Sequence, residues 1–142
     1  MALTRWLADK SALAQLPVTP DRDLWENRIG RGLVSLTVVT RLELGFSARN
    51  GTDLRASVDT PPIVLTPLEF MTPTIKKRAL AVQLLLADKG RHRAPSIPDL
   101  LVAATAELAG LTVLHTDKDF ELIAEITRRP LERLRSPDPD VR

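Results

Sequence analysis

The sequence predicts an α/β fold with a mostly parallel central sheet of four to five short strands flanked by helices. Short apolar runs typical of buried strands alternate with segments whose apolar residues recur at helical spacing, and this alternation is the pattern of βαβ units. The chain has 142 residues, enough for one domain with a substantial core. We expect that domain to span residues 1–135, followed by a short polar and disordered tail over 136–142.

The first strand and the first helix are separated by one acid. Leu3–Ala8 is a short apolar run that ends at Asp9, and Ser11–Leu16 then has helical spacing until a proline stops it. A second helix is predicted over Asp21–Arg31, where glycines stand at and just beyond its end. The order of strand, acid and helix recurs later in the chain.

A second strand over 33–36 precedes a longer helix over 38–49, which we expect the Asn-Gly pair at 50–51 to terminate. A short helix follows over 53–58. The apolar run 63–65 lies between prolines and predicts the third strand.

The segment 68–89 is predicted to be mostly helical, with Pro73 kinking or restarting the helix. Its part 79–86 is apolar nearly all round, which indicates burial on more than one side. The remaining elements follow the same two patterns and are a helix over 97–109, a fourth strand over 111–115, a helix over 120–127 and a fifth strand over 131–134.

Composition narrows the chemistry that the chain can perform. There is no cysteine and there are only two histidines, so zinc and iron–sulfur sites have few ligands, whereas carboxylate oxygens suit magnesium or manganese. The net charge of +2 permits an anionic partner without requiring one. Because no apolar run approaches a membrane span and the N-terminus lacks a signal-peptide pattern, we expect a cytoplasmic protein with no membrane partner.

Acidic residues follow two of the predicted strands. Asp9 comes after the first strand, Asp117 and Asp119 come after the fourth, and Asp99 opens a helix. The carboxyl ends of parallel strands meet at one edge of a sheet, so we expect these acids to face a common crevice. Carboxylates that converge must bind a cation, share protons or stay hydrated. The pattern indicates a site for a divalent metal ion.

Each acid also has an ordinary structural explanation. Asp9 could cap the helix that follows it, and Asp117 with Asp119 could cap the next one. Asp99 could form a capping box with the serine three residues before it, and Glu43 could be a solvated residue of an amphipathic helix. For any one acid alone this explanation comes first, but the joint pattern favours a site.

Four segments resemble the acidic motifs of PIN-domain ribonucleases, and within that family the VapC toxins of bacterial toxin–antitoxin modules. They are Asp9–Leu13, Thr40–Phe46, Ile97–Ala104 and Leu114–Phe120. The resemblance extends from Leu3 to about Leu134 and implies a single PIN-like domain.

The resemblance also implies the site and its chemistry. Asp9, Glu43, Asp99 and Asp117 would be the catalytic acids, and Asp119 would join Asp9, Asp99 and Asp117 as a metal ligand. A bound Mg²⁺ or Mn²⁺ would activate a water for in-line attack on an RNA phosphodiester. Asp117, at the strand end, is the stronger candidate for direct coordination, and Asp119 is assigned last.

Residues near the acids have supporting roles in this prediction. The hydroxyls of Ser11 and Thr116 could orient a carboxylate or a water, although both are equally good helix caps. Basic side chains could hold the RNA backbone or simply be solvated surface charge, and the candidates are Lys10, Arg91, Arg93 and Lys118. Lys10 departs from the neutral residue found in many members of the family.

The resemblance implies three partners: an RNA substrate, a cognate VapB-like antitoxin and a second copy of the chain in a homodimer. An antitoxin segment would pack on apolar surface. The apolar helix around 79–86 and the tryptophans Trp6 and Trp25 could supply that surface, or could equally be core.

Alternative functions stay open at this point. A Toprim-like or phosphatase-like phosphoryl enzyme would use the pair Asp117 and Asp119, but it needs a Glu or a DxD motif at the first strand, where this chain has Asp9-Lys10-Ser11. A catalytically silent PIN-like module that only binds RNA or an antitoxin would not need the acids that are present. A metal-free ribonuclease would need paired histidines, and His115 at a strand end is more readily explained by packing.

Overall fold

A computed structural model, which describes residues 3–137, confirms the α/β fold. Its described part contains five strands in one parallel sheet of order β3-β2-β1-β4-β5. The strands are β1 (Trp6–Ala8), β2 (Val34–Thr37), β3 (Leu68–Glu69), β4 (Thr112–His115) and β5 (Leu131–Arg133). Because all pairings are parallel, the carboxyl ends of the strands lie at the same edge of the sheet. Of the predicted tail, residues 138–142 lie outside the described part.

Between residues 3 and 137 the strands are joined by seven α-helices. These are α1 (Lys10–Gln15), α2 (Arg22–Gly30), α3 (Val38–Phe46), α4 (Gly51–Val58), α5 (Pro73–Asp88), α6 (Ile97–Ala109) and α7 (Asp119–Thr127). At the start of α3, the Thr37 side chain accepts a hydrogen bond from a backbone N–H of the first turn. The C-terminal end of α6 is closed by Gly110 in the left-handed conformation. No helix in this part of the chain has the length and apolarity needed to cross a bilayer.

The prediction of the third strand was wrong. Ile63–Leu65 is a short 3₁₀ helix, in which the Leu65 N–H donates to the Pro62 carbonyl at 3.1 Å. The strand that pairs with β2 is Leu68–Glu69, where a helix was expected. A run of three apolar residues between prolines is too short to show whether its apolar positions follow the period of a strand or that of a helix.

The role predicted for the Asn-Gly pair at 50–51 was also wrong. Helix α3 ends at Phe46, and the Asn50 Oδ1 accepts a hydrogen bond from the Asp53 N–H at 2.9 Å. The pair therefore begins α4 instead of terminating α3. Asparagine is as suitable at the start of a helix as in the turn that follows one.

Successive residues of β1 point into two different apolar cores, as strand geometry requires. Trp6 packs with Trp25 on one face of the sheet, and Leu7 packs with residues of α5, α6 and α7 on the other. Both tryptophans are buried, so the alternative that they offer an exposed surface was wrong. Their rings meet edge to face at 5.2 Å, and the Arg28 guanidinium lies 4.4 and 4.5 Å from the two ring centroids.

Helix α5 is only partly buried by the described chain. Ala79 and Val82 face the interior, whereas Leu80 and Leu84 are 67% and 65% exposed. An apolar stripe of this helix therefore remains available for contact.

Candidate functional site

The central strand β1 and its neighbour β4 lead directly into the loops that carry Asp9 and Asp117. Asp9 follows β1, and Asp117 lies two residues beyond β4. The register pairs Ala8 with Leu114, and the Asp9 N–H donates to the Leu114 carbonyl at 2.9 Å. The first acid is thereby fixed beside the end of the neighbouring strand.

Three of the predicted acids form a compact group that we call the aspartate cluster: Asp99, Asp117 and Asp119. One carboxylate oxygen from each residue lies within 4.8 Å of the other two, and no other group of three such ligands occurs among residues 3–137. The Asp119 N–H donates to the Asp117 Oδ1 at 2.9 Å, which draws these two acids together. The spacing of the three oxygens suits a single cation.

Asp99 is the buried member of the aspartate cluster, with 6% of its surface exposed. It forms the expected capping box of α6, in which the Ser96 N–H donates to the Asp99 Oδ2 and the Asp99 N–H donates to the Ser96 Oγ, both at 3.2 Å. Burial raises the pKa of Asp99 to about 6, the charges of Asp9 and Asp117 add to the rise, and the hydrogen bonds with Ser96 oppose it. Negative charge is therefore poorly compensated at this position.

Asp9 is also buried, but it lies outside the group of three ligands that the aspartate cluster forms. Its Oδ2 accepts a hydrogen bond from the Ser11 N–H at 3.1 Å, as predicted for a helix cap. Its negative charge nevertheless raises the pKa of both Asp99 and Glu43. Asp9 thus contributes to the negative electrostatic potential at this edge of the sheet.

Ser11 joins the two loops of the site. Its Oγ accepts a hydrogen bond from the Thr116 N–H at 3.0 Å, across 105 positions of sequence. The hydroxyl of Ser11 therefore fixes the loop after β4 to the start of α1. The contact of Thr116 is made by its backbone.

Glu43 lies on α3 and is likewise outside the aspartate cluster. Its Oε1 is shielded from solvent and has no hydrogen-bond partner within the described residues. Burial raises the pKa of Glu43, and the charge of Asp9 acts in the same direction, whereas Lys10 lowers it. Burial and the charge of Asp9 thus both disfavour the ionised form of Glu43.

The four predicted basic residues differ in their relation to the acids. Lys10 lies beside Glu43, where both line an open groove. Arg91, Arg93 and Lys118 are exposed and form no salt bridge in the part of the chain that the structure describes. Lys10 therefore lies beside Glu43 in space, and Lys118 lies between Asp117 and Asp119 in the sequence.

His115 is a core residue at the end of β4. It is 1% exposed, and its ring is tilted against Phe120 at 5.2 Å between centroids. Burial lowers its pKa, which favours the neutral form. This geometry suits packing, as expected, and not acid–base exchange with solvent.

Sequence reasoning missed the surface of α3 that borders Glu43. Phe46 is 91% exposed and Leu42 is 68% exposed, although helical spacing alone would assign both to a packed stripe. The spacing of Val39, Leu42, Glu43 and Phe46 could have identified the surface, but it does not tell whether a neighbour covers it.

Comparisons with known proteins agree with this geometry. A sequence model described as PIN domain matches residues 9–126. The chain is 59% identical over 135 residues to Ribonuclease VapC2 of Mycobacterium tuberculosis, spanning 95% of this chain and 96% of the relative. It is 42% identical over 138 residues to Ribonuclease VapC21 of the same organism, spanning 94% and 96%. The crystal structure of DNA-bound VapBC from Salmonella typhimurium shares the fold, with a TM-score of 0.73 at 16% identity over 92% of this chain and 98% of that one.

Proposed function

The chain belongs to the PIN-domain family and is a ribonuclease of the VapC type, and from that premise we propose that it hydrolyses RNA phosphodiester bonds at the aspartate cluster with the help of a divalent metal ion. The observation that carries this proposal is the convergence of three carboxylate oxygens within 4.8 Å of one another. Such a group must bind a cation, share protons or stay hydrated, and a cation compensates the charge of all three carboxylates at once. The family match sets aside the Toprim-like and phosphatase-like alternative.

The residues present fit a hard divalent cation. Asp99, Asp117 and Asp119 would hold it, and Asp9 would add negative charge from the neighbouring loop. Oxygen ligands alone favour Mg²⁺ or Mn²⁺ over softer metals. When bound, such an ion stabilises charge on the scissile phosphate and activates a water for attack on phosphorus.

The surrounding residues prepare this site. The Ser11 N–H holds the Asp9 Oδ2, while the Ser11 hydroxyl holds the loop of Asp117 through Thr116. Glu43, whose Oε1 has no hydrogen-bond partner within the described residues, would orient the attacking water. The Lys10 ammonium, beside Glu43, would attract an RNA phosphate to the edge of the site.

We also propose that the protein pairs with a VapB-like antitoxin and forms a homodimer. Support for the antitoxin comes from the structural neighbours, several of which are VapBC complexes. Support for a protein contact of either kind comes from the uncovered apolar side chains of α5 and the adjoining start of α6. Leu80, Leu84 and Ile97 are each more than 60% exposed, which gives a partner an apolar surface to bury.

The decisive experiment measures cleavage of a total RNA pool with Mg²⁺ or Mn²⁺, with and without chelator. Asp99→Asn and Asp117→Asn should each lower the rate by more than the roughly 10- to 100-fold that loss of a supporting residue around a metal costs. Asp59→Asn, which alters an exposed acid at the end of α4, is the matched control and should cleave normally. Activity that survives the chelator and both cluster substitutions would overturn the proposal. A folded native chain that binds RNA without cleaving it would indicate a silent binding module.

A further inference from the structure

An open groove of about 320 Å³ runs along one face of α3, next to the acids. We call it the α3 groove and define it by Lys10, Val39, Leu42, Glu43 and Phe46. The last four residues are spaced so that they lie on one side of the helix. At its end stands Phe46, an aromatic ring left 91% exposed.

The α3 groove is continuous with the proposed catalytic site. Glu43 belongs to both, and the charge of Asp9 reaches it. Lys10 also lines the α3 groove, and its charge acts on Glu43. A ligand in the groove would therefore meet an aromatic face, a cation and an acid of the site in close succession.

We propose that Phe46 is a stacking platform for one base of single-stranded RNA, which it holds in the α3 groove while the adjoining phosphate faces Lys10 and the acids. This inference rests on the proposed ribonuclease function and specifies how that site selects its substrate. It makes Phe46 a positioning residue that favours unpaired RNA, because only an unstacked base offers its face to a side chain.

The chemistry of the groove favours a nucleotide over a protein segment. Every base has a π-face that can stack on phenylalanine, and its phosphate complements the charge of Lys10. The Glu43 carboxyl has an oxygen without a hydrogen-bond partner in the described chain. The apolar side chains of a protein segment would bury this group further without offering it a donor, whereas the amino and hydroxyl groups of a nucleotide are donors.

The test uses a short single-stranded RNA whose adenines are replaced by 2-aminopurine, because the fluorescence of this base falls when it stacks. Binding is measured on the full chain carrying Asp99→Asn to prevent cleavage. Phe46→Leu should weaken binding by about 5- to 100-fold and abolish the fall in fluorescence. Phe46→Tyr, which keeps the aromatic face, should retain both.

Phe70 supplies a matched control, since it is 70% exposed and does not line the α3 groove. Phe70→Leu should leave binding and fluorescence unchanged. An equal loss in the Phe70 variant, or unchanged binding in the Phe46→Leu variant, would overturn the inference. So would a Phe46→Leu variant that binds RNA normally but loses its oligomeric state in light scattering, because the groove would then be a protein contact.

The two proposals can fail separately. A native chain that stacks 2-aminopurine through Phe46 yet does not cleave RNA would overturn the ribonuclease mechanism and support the stacking platform. A native chain that cleaves RNA at the same rate and with the same preference for unpaired nucleotides after Phe46→Leu would overturn the platform alone.

Discussion

Replacing Asp99 with asparagine is expected to stabilise the metal-free protein at neutral pH while it removes activity. Asparagine is uncharged at every pH and keeps an oxygen that can accept the Ser96 N–H, so the capping box can survive the change. What disappears is a buried negative charge beside Asp9 and Asp117. Stability and function are therefore opposed at this residue.

The size of the expected stabilisation follows from the pKa of Asp99. Its folded value of about 6 lies above the ordinary 3.8, so the folded chain binds this proton more tightly than the unfolded chain does. The stabilisation of the native chain by this bound proton is complete below pH 3.8 and is lost as the pH rises through about 6. At about 1.4 kcal/mol per pH unit, keeping Asp99 ionised at neutral pH costs up to about 3 kcal/mol.

The assay is urea unfolding of the metal-free native chain and of the Asp99→Asn variant across this pH range. Near pH 8 the variant should exceed the native chain by up to about 3 kcal/mol, and near pH 4 the difference should shrink towards zero. Asp59→Asn should stay within about 0.5 kcal/mol of the native chain throughout. Mg²⁺ or Mn²⁺ should stabilise the native chain and leave the Asp99 variant unchanged.

Two results would refute this reasoning. If Asp99→Asn lowers the free energy of unfolding near pH 8, the carboxylate has compensating partners that the geometry does not contain. If the difference between the two proteins is the same at all pH values, the capping hydrogen bonds and not the charge determine it.

Substitutions elsewhere test what supports the site. Ser11→Ala should lower the free energy of unfolding by about 1–3 kcal/mol because the Thr116 N–H loses its acceptor. A loss below about 0.3 kcal/mol in urea titration would contradict this. Arg28→Met should cost about 0.5–2 kcal/mol and alter tryptophan fluorescence, since the cation over both indole rings is removed; an unchanged emission spectrum would count against the contact. Phe120→Ala should lower the free energy of unfolding by about 3–5 kcal/mol in the same titration, because it leaves a cavity in the core. Phe120→Leu should cost much less, and an equally small cost for Phe120→Ala would mean that the core closes around the cavity.

Helix α6 shows how far local sequence can determine an element. Its predicted and observed ends agree at Ile97 and Ala109 because Ser96 and Gly110 cap it through their own side chain or backbone conformation. Strand β3 shows the limit. It has two residues, and the hydrogen bond from the Leu36 N–H to the Pro67 carbonyl at 2.9 Å depends on where the chain returns, which no local pattern records.

Parts of the candidate site could likewise be predicted from the sequence, and other parts could not. That Asp9 and Asp117 reach one edge follows from parallel strands, so the sequence could predict it. That Asp119 groups with Asp99 and Asp117, although the sequence assigned it last, depends on the turn in which Asp117 accepts its N–H. The exposure of Phe46 depends on how α3 is packed, and helical spacing carries no information about that. Which acids coordinate metal stays a prediction.

The position of β1 beside β4 has a consequence for the moment at which the protein becomes active. The loop of Asp9 is completed by a contact with Thr116, made 105 residues later, and two acids of the aspartate cluster lie beyond that point. A chain emerging from the ribosome in N-to-C order therefore carries its first acid long before it can assemble the site. For an enzyme that degrades RNA, this order of synthesis keeps the nascent chain inert until the segment that carries Asp117 and Asp119 has emerged from the ribosome.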